Sequence, residues 1–235
     1  ELAELSDGIR EMAKEIPAAA TEIAGVAEAA GQLGIETDNI LGFTRVMIDL
    51  GEATNLSGEE AATALARFAN ITQMSQKDFD RLGSTVVALG NNLATTEAEI
   101  VEMGLRLAGA GKQVGMTEAQ ILGFAGALSS VGIEAQAGGS AFSKVMVQMQ
   151  LAVETGGKNL ENFASVAGMS GEEFKRAFQE DAASAIIAFI AGLSNAEERG
   201  MSAIKVLDDM GIKEVRLRDA LLRAAGAGDL FNESI

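Results

Sequence analysis

Adjacent acid pairs such as Glu59/Glu60, Glu172/Glu173, Glu197/Glu198 and Asp208/Asp209 are the side chains of this sequence with the most chemistry in them. Two carboxyl groups facing a sugar can divide acid and base work, one protonating the leaving oxygen while the other activates water or attacks. The first two pairs, however, each follow a Ser-Gly step. A carboxylate three residues after Ser57 or Ser170 is the reciprocal cap that satisfies orphan amides at a helix start, where negative charge also complements the helix dipole. Both are therefore expected to be caps. With 0 His and 0 Cys, neither a Ser/His/Asp nor a Cys/His arrangement can form, and the usual zinc and haem ligands are missing. Asp208 and Asp209 lack the alternating oxygen ligands of a calcium loop.

A phosphate-binding loop is the other chemical possibility, at Gly109, Gly111 and Lys112. Arg106 stands where that motif needs its first glycine, and Gln113 replaces the Ser/Thr that would hold magnesium. The run also follows a helical pattern, so it reads as a glycine-rich helix end with Lys112 at the negative terminus. No catalytic, cofactor-binding or metal-ligating residue is expected, and no cofactor.

The elements around these residues are helices. Alanine, leucine, glutamate and methionine fill the periodic segments, aromatics are 4% and all phenylalanine, and there is 1 proline. The expected fold is all-α: about twelve short helices in one compact or two-lobed array, with essentially no strand. Pro17 suits a first-turn position, so one helix ends near Ile16 and the next runs to about Leu33. Thr37 with Asp38 opens a third, to about Leu50, whose apolar stripe is Ile40, Leu41, Phe43, Val46, Met47 and Leu50. Ser57 opens a helix to about Asn70. Ser75, Thr95, Thr117 and Ser170 are further starts, with Thr117/Gln120 and Ser170/Glu173 as capping pairs, and Asp181 and Lys213 open later helices. Gly42, Gly104, Gly123, Gly126 and Gly192 lie inside apolar faces, and each costs an isolated helix about 1 kcal/mol. Close helix approach is the expected compensation, and Met146, Met149 and Met201 are expected core filler.

Residues 32–43 (QLGIETDNILGF) align without gaps on residues 113–124 (QVGMTEAQILGF), matching at Gly34/Gly115 and through Ile-Leu-Gly-Phe. A shorter echo pairs residues 56–60 with 169–173. These repeats suggest an N-terminal arm at 1–31, two similar halves at 32–112 and 113–193, and a C-terminal tail at 194–235.

The 235 residues are 48% hydrophobic, enough for a real core, and a compact chain of this length has a radius of gyration of about 17–18 Å. A formal charge of -16 repels a phosphate backbone, so direct nucleic-acid binding is not expected. Ala182 to Leu193 is strongly apolar but too short to span a bilayer, which takes roughly 20 residues. The chain starts at Glu1 without a positive leader or an initiator methionine and reads as a piece of a longer protein.

Several segments together resemble the core region of phage tail tape measure proteins of the lactococcal-phage type. They are residues 32–35, 56–70, 79–83, 91–92, 99–111, 115–119, 128–132, 138–142 and, more loosely, 169–174, so the similarity covers roughly residues 30–215. The resemblance implies a non-enzymatic protein of a long-tailed phage or prophage, in the virion tail and, during assembly, in the host cytoplasm. Such a protein lies in the tail tube, sets how far tube subunits polymerise and leaves with the DNA. Implied partners are tail tube, tail-tip or baseplate and chaperone proteins, with self-association in a few copies and membrane contact only at infection. Two alternatives stand beside it: a membrane-active helical protein that assists genome passage, and a cell-wall hydrolase working through a carboxylate pair.

Overall fold

The computed structural model describes residues 2–198, 202–227, 230–231 and 234. Among these it has thirteen α-helices and no strand. The first seven are α1 (Leu2–Glu15), α2 (Ala20–Gln32), α3 (Thr37–Ala53), α4 (Gly58–Thr72), α5 (Phe79–Asn92), α6 (Glu97–Gln113) and α7 (Glu118–Ser130). The rest are α8 (Ser140–Thr155), α9 (Gly157–Val166), α10 (Gly171–Glu180), α11 (Ala182–Glu198), α12 (Ala203–Asp209) and α13 (Val215–Ala225). A 3-10 turn (Gln76–Asp78) leads into α5 and a π-helical turn (Ala135–Gly139) into α8. The expected all-α class is the observed one.

Sequence punctuation sets most helix ends. Ser57, Thr117 and Ser170 each close a reciprocal box with the residue three positions on. The start expected at Thr95 falls one residue later, on Thr96, which closes a box with Glu99, while the Thr95 hydroxyl lies within hydrogen-bond distance of Glu99 and of Ser129 of α7. Five helices stop on one motif, with glycine at positive φ and a following apolar residue whose N–H donates to a carbonyl five residues back. Those glycines are Gly34, Gly115, Gly132, Gly168 and Gly211. The two repeat copies match closely here: Gly34 and Gly115 both have φ +86°, and Ile35 and Met116 donate over 3.0 and 2.9 Å. Such a stop satisfies orphan carbonyls and buries the apolar residue after the glycine. Ile35, Met116, Ile133 and Ile212 are all buried.

Two further expected starts, at Pro17 and Lys213, shift, whereas Thr37 opens α3 as expected. Pro17 falls in the bend between α1 and α2 rather than in a first turn, and α2 begins at Ala20 behind Ala19, which makes no side-chain cap. At the Thr37 start, the flanking Glu36 makes no side-chain cap, and the Gln76 side chain accepts from the Glu36 N–H at 2.8 Å. Lys213 lies just outside α13, whose flank is Glu214.

The buried apolar residues from Met12 to Phe231 form one continuous core. α6 is the hub, packing on α4, α5, α7 and α8. α7 is enclosed on every side: Ile121 through Leu128 are all buried. Its repeat counterpart α3 keeps one wet face, with Gly42, Arg45 and Asp49 exposed, although both contain Ile-Leu-Gly-Phe. In α3 the expected stripe is present, with Leu41 and Val46 at its margin and Thr44 and Ile48 added inside.

Thr44 is fully buried and its hydroxyl has no hydrogen-bond partner. Replacing a buried, unpaired hydroxyl by a methyl of similar shape removes a desolvation penalty of about 1–3 kcal/mol. Thr44→Val is therefore expected to raise the denaturant midpoint with no change in the slope of the transition. A lower midpoint would mean that the hydroxyl is satisfied in the folded chain.

Candidate functional site

Each acid pair can be placed from its helix upward. Glu60 and Glu173 are exposed N3 residues of their boxes: the Ser57 N–H donates to Glu60 at 2.9 Å and the Ser170 N–H to Glu173 at 2.8 Å. The backbone N–H and then the hydroxyl of Ser57 hold the Glu60 carboxyl below the usual carboxylate range. Ser170 does the same, in the same order, for Glu173. Glu99 is lowered by the Thr96 amide first, then by the Thr95 and Thr96 hydroxyls. Asp181, at the start of α11, is lowered by the Ser184 hydroxyl first, then by the Ser184 amide and the Gln120 side chain, against a burial effect that raises it. A general acid needs its pKa pushed up. These carboxyls move the other way, which suits permanently ionised caps.

Glu59 and Glu172 are exposed beside their caps. Asp208 is paired with Arg218, whose guanidinium also donates to the Ile212 carbonyl at 2.6 Å, so the α12 end is tied to α13. The side chains of Glu197 and Glu198, and Met201, lie outside the described residues. No group of three or more acids that could hold a metal converges among the described residues. Gly109, Gly111 and Lys112 are the last turns of α6, a helical run rather than a strand-to-helix loop. Gly111 packs on Ile121 of α7, where a Cβ would meet the Ile121 side chain at 2.6 Å.

Lowered carboxyl pKa values set a pH dependence with a definite sign. A group whose folded pKa lies below its unfolded one contributes stability that is fully present above the unfolded value, about 4 for Asp and Glu. That contribution is lost as pH falls through the folded value. Relief of the mutual repulsion of the -16 chain works in the opposite sense on acidification. The combined variant Glu60→Gln, Glu99→Gln, Glu173→Gln is therefore expected to flatten the acid branch of a melting-temperature profile. An acid branch as steep as that of the native chain would show that other groups drive it.

The interior holds the remaining sequence-flagged residues. Met146 and Met149 are fully buried, as expected of filler. Most of the apolar run at 182–193 is buried, with Phe189 between the ring of Phe163, 5.4 Å away, and the rest of the core. No helix among the described residues is long and apolar enough to cross a membrane.

Among the described residues the paired acids at Ser57 and Ser170 are thus placed as helix-cap groups. The sequence pattern of the family described as phage-related minor tail protein matches residues 6–232. The chain belongs to that family. A protein described as a probable tape measure protein, from Halomonas phage phiHAP-1, is 24% identical to this chain over 192 residues. That alignment covers 78% of this chain and 22% of the relative, so the chain spans about a fifth of the relative's length. No solved structure matches it. The resemblance to tape measure proteins carried by the order and spacing of the segments between residues 30 and 215 agrees with both findings.

Proposed function

We propose that this chain is a folded segment of a tape measure protein that acts in tail assembly and tail length determination and leaves the tail with the DNA. Its contribution is docking and packaging rather than length. The observation that carries this reading is the single core running from Met12 to Phe231, closed by caps and glycine stops. A rod of 235 residues reaches about 350 Å at 1.5 Å per residue, and a chain folded onto one core supplies a small fraction of that. Tail tube, tail-tip and chaperone proteins are the partners this role needs, with assembly in the host cytoplasm and residence in the virion tail. The two units at 32–112 and 113–193 would then be copies of one helical module.

The hydrolase alternative gains no support from acids held ionised at helix starts. The membrane alternative gains none from an apolar helix α11 that is spent on the core.

Two changes in the parent phage gene test the reading by electron microscopy of tails. Deleting the segment is expected to abolish tails, and duplicating it to leave their length unchanged. Tails lengthened by about 350 Å on duplication would make this segment part of the ruler. Normal tails after deletion would remove it from tail assembly altogether.

A further inference from the structure

The wet side of α3 is also one wall of a trough. α3 and α5 run side by side: the rings of Phe43 and Phe79 are 4.6 Å apart, and a Cβ at Gly83 would stand 2.9 Å from Val46 and 3.5 Å from Leu50. Outside this line of contact the two helices leave a hollow of about 440 Å³. Val46, Leu50 and Val87 give it an apolar floor, and the exposed Ala53 and Ala88 are its low shoulders. Its charged lining is acidic, the exposed Asp49 and Asp80. Beyond these two, α3, the 3-10 turn and α5 carry Asp38, Glu52 and Asp78 against the cations Arg45, Lys77 and Arg81. Arg45 is held by Glu15 of α1 at 2.7 Å and lies 3.9 Å from Asp49, while Arg81 lies 3.8 Å from Asp78. Acid therefore remains in excess at the rim.

Shape and charge together select the occupant. A small ligand is held in a pocket that buries most of its surface, whereas this trough is open along both shoulders. Phosphate backbones and anionic lipid surfaces are repelled by its acids, and so is a second copy of charge -16. An apolar floor between acidic rims is the complement of an amphipathic helix whose apolar stripe is flanked by lysine or arginine. In the second repeat copy the same side of the helix is covered by protein: Ala127 and Ser130 of α7, at the places of Val46 and Asp49, are fully buried and half-buried. We propose that the α3–α5 trough docks a basic amphipathic helix of another tail protein, an inference that rests on the docking role given above and adds the place and chemistry of the contact.

The probe is a labelled synthetic peptide of about four helical turns, with leucine at the i, i+3, i+4 and i+7 spacing and lysine elsewhere, titrated with the 235-residue chain by fluorescence anisotropy. It is expected to bind, and more weakly as added salt screens the rim. Asp49→Lys with Asp80→Lys should weaken binding by about tenfold or more. Glu59→Lys with Glu172→Lys makes the same change of charge at exposed sites on other helices and should leave affinity within about twofold. Ala88→Trp fills the trough from an exposed position, so it should keep native circular dichroism, weaken binding and, in the parent phage gene, abolish tails. Absence of binding overturns the proposal, as does equal binding of a peptide with glutamate in place of lysine, or an equal loss in the Glu59 and Glu172 variant. Normal tails from the Ala88→Trp gene overturn it too, while loss of tails on deleting the whole segment would still uphold the docking role.

Discussion

Gly192→Ala will lower the melting temperature of this chain by about 5–10 °C, while Gly42→Ala, the same change in another helix, will leave it level or raise it. Both glycines sit inside helices, and alanine gains about 1 kcal/mol of helix propensity at either. The environments decide the sign. A Cβ at Gly42 meets nothing within 4 Å, and Gly42 is exposed. A Cβ at Gly192 would stand 1.8 Å from the carbonyl oxygen of Val166 and 2.6 Å from its carbon, in the last turn of α9. That neighbour is backbone and cannot rotate away, so α9 and α11 must separate. Overpacking a tight contact costs about 1–3 kcal/mol and occasionally more, and a clash this deep belongs at the upper end. The net loss after the propensity gain is about 2–3 kcal/mol, which thermal unfolding resolves easily at about 2–4 °C per kcal/mol. Equal melting temperatures for the two variants would show that α9 crosses α11 with more room than the coordinates give it.

Phe124→Ala is expected to cost about 3–5 kcal/mol, a large part of the roughly 5–15 kcal/mol that holds a domain folded. Phe124 is fully buried in the helix enclosed on all sides, and its ring lies 5.2 Å from that of Phe231, also fully buried. Truncation leaves a ring-sized cavity in a place where few neighbours can relax, since α7 is gripped by α5 and α6. It also removes the aromatic contact that holds the C-terminal segment against the core, worth about 0.5–1.5 kcal/mol beyond area. The melting temperature should fall by about 10 °C or more. Phe231→Ala should reproduce a smaller share of that loss, and the double variant should lose less than the sum, because the two rings are in contact. Strict additivity would show that they act separately.

Local rules carried the sequence reading far, and it failed where position is set by the tertiary fold. The boxes at Ser57, Thr117 and Ser170 were readable because cap and partner are three residues apart, and the acids in them were readable as caps for the same reason. The start of α3 at Thr37 was readable, but not the partner of its flanking amide: the Glu36 N–H is held by Gln76, some forty residues away. The π-helical turn before α8 left no mark either. Gly139 there accommodates Arg106 of α6, where a Cβ would meet the arginine side chain at 2.6 Å, and Gly138 does the same for Ile133. Gly104, Gly126 and Gly192 do sit at close approaches, but Gly42 shares their sequence context and touches nothing. Ile-Leu-Gly-Phe reads identically in α3 and α7, yet one copy keeps a wet face and the other is enclosed.

The enclosure of α7 also orders the way the molecule comes apart. Its amides from Ile121 to Leu128 have protein on every side, so deuterium can reach them only after α6 or the C-terminal segment has moved off. These eight amides thus report the whole-molecule unfolding free energy, while α1, whose main packing is on α2 and α3, exchanges through a far cheaper local opening.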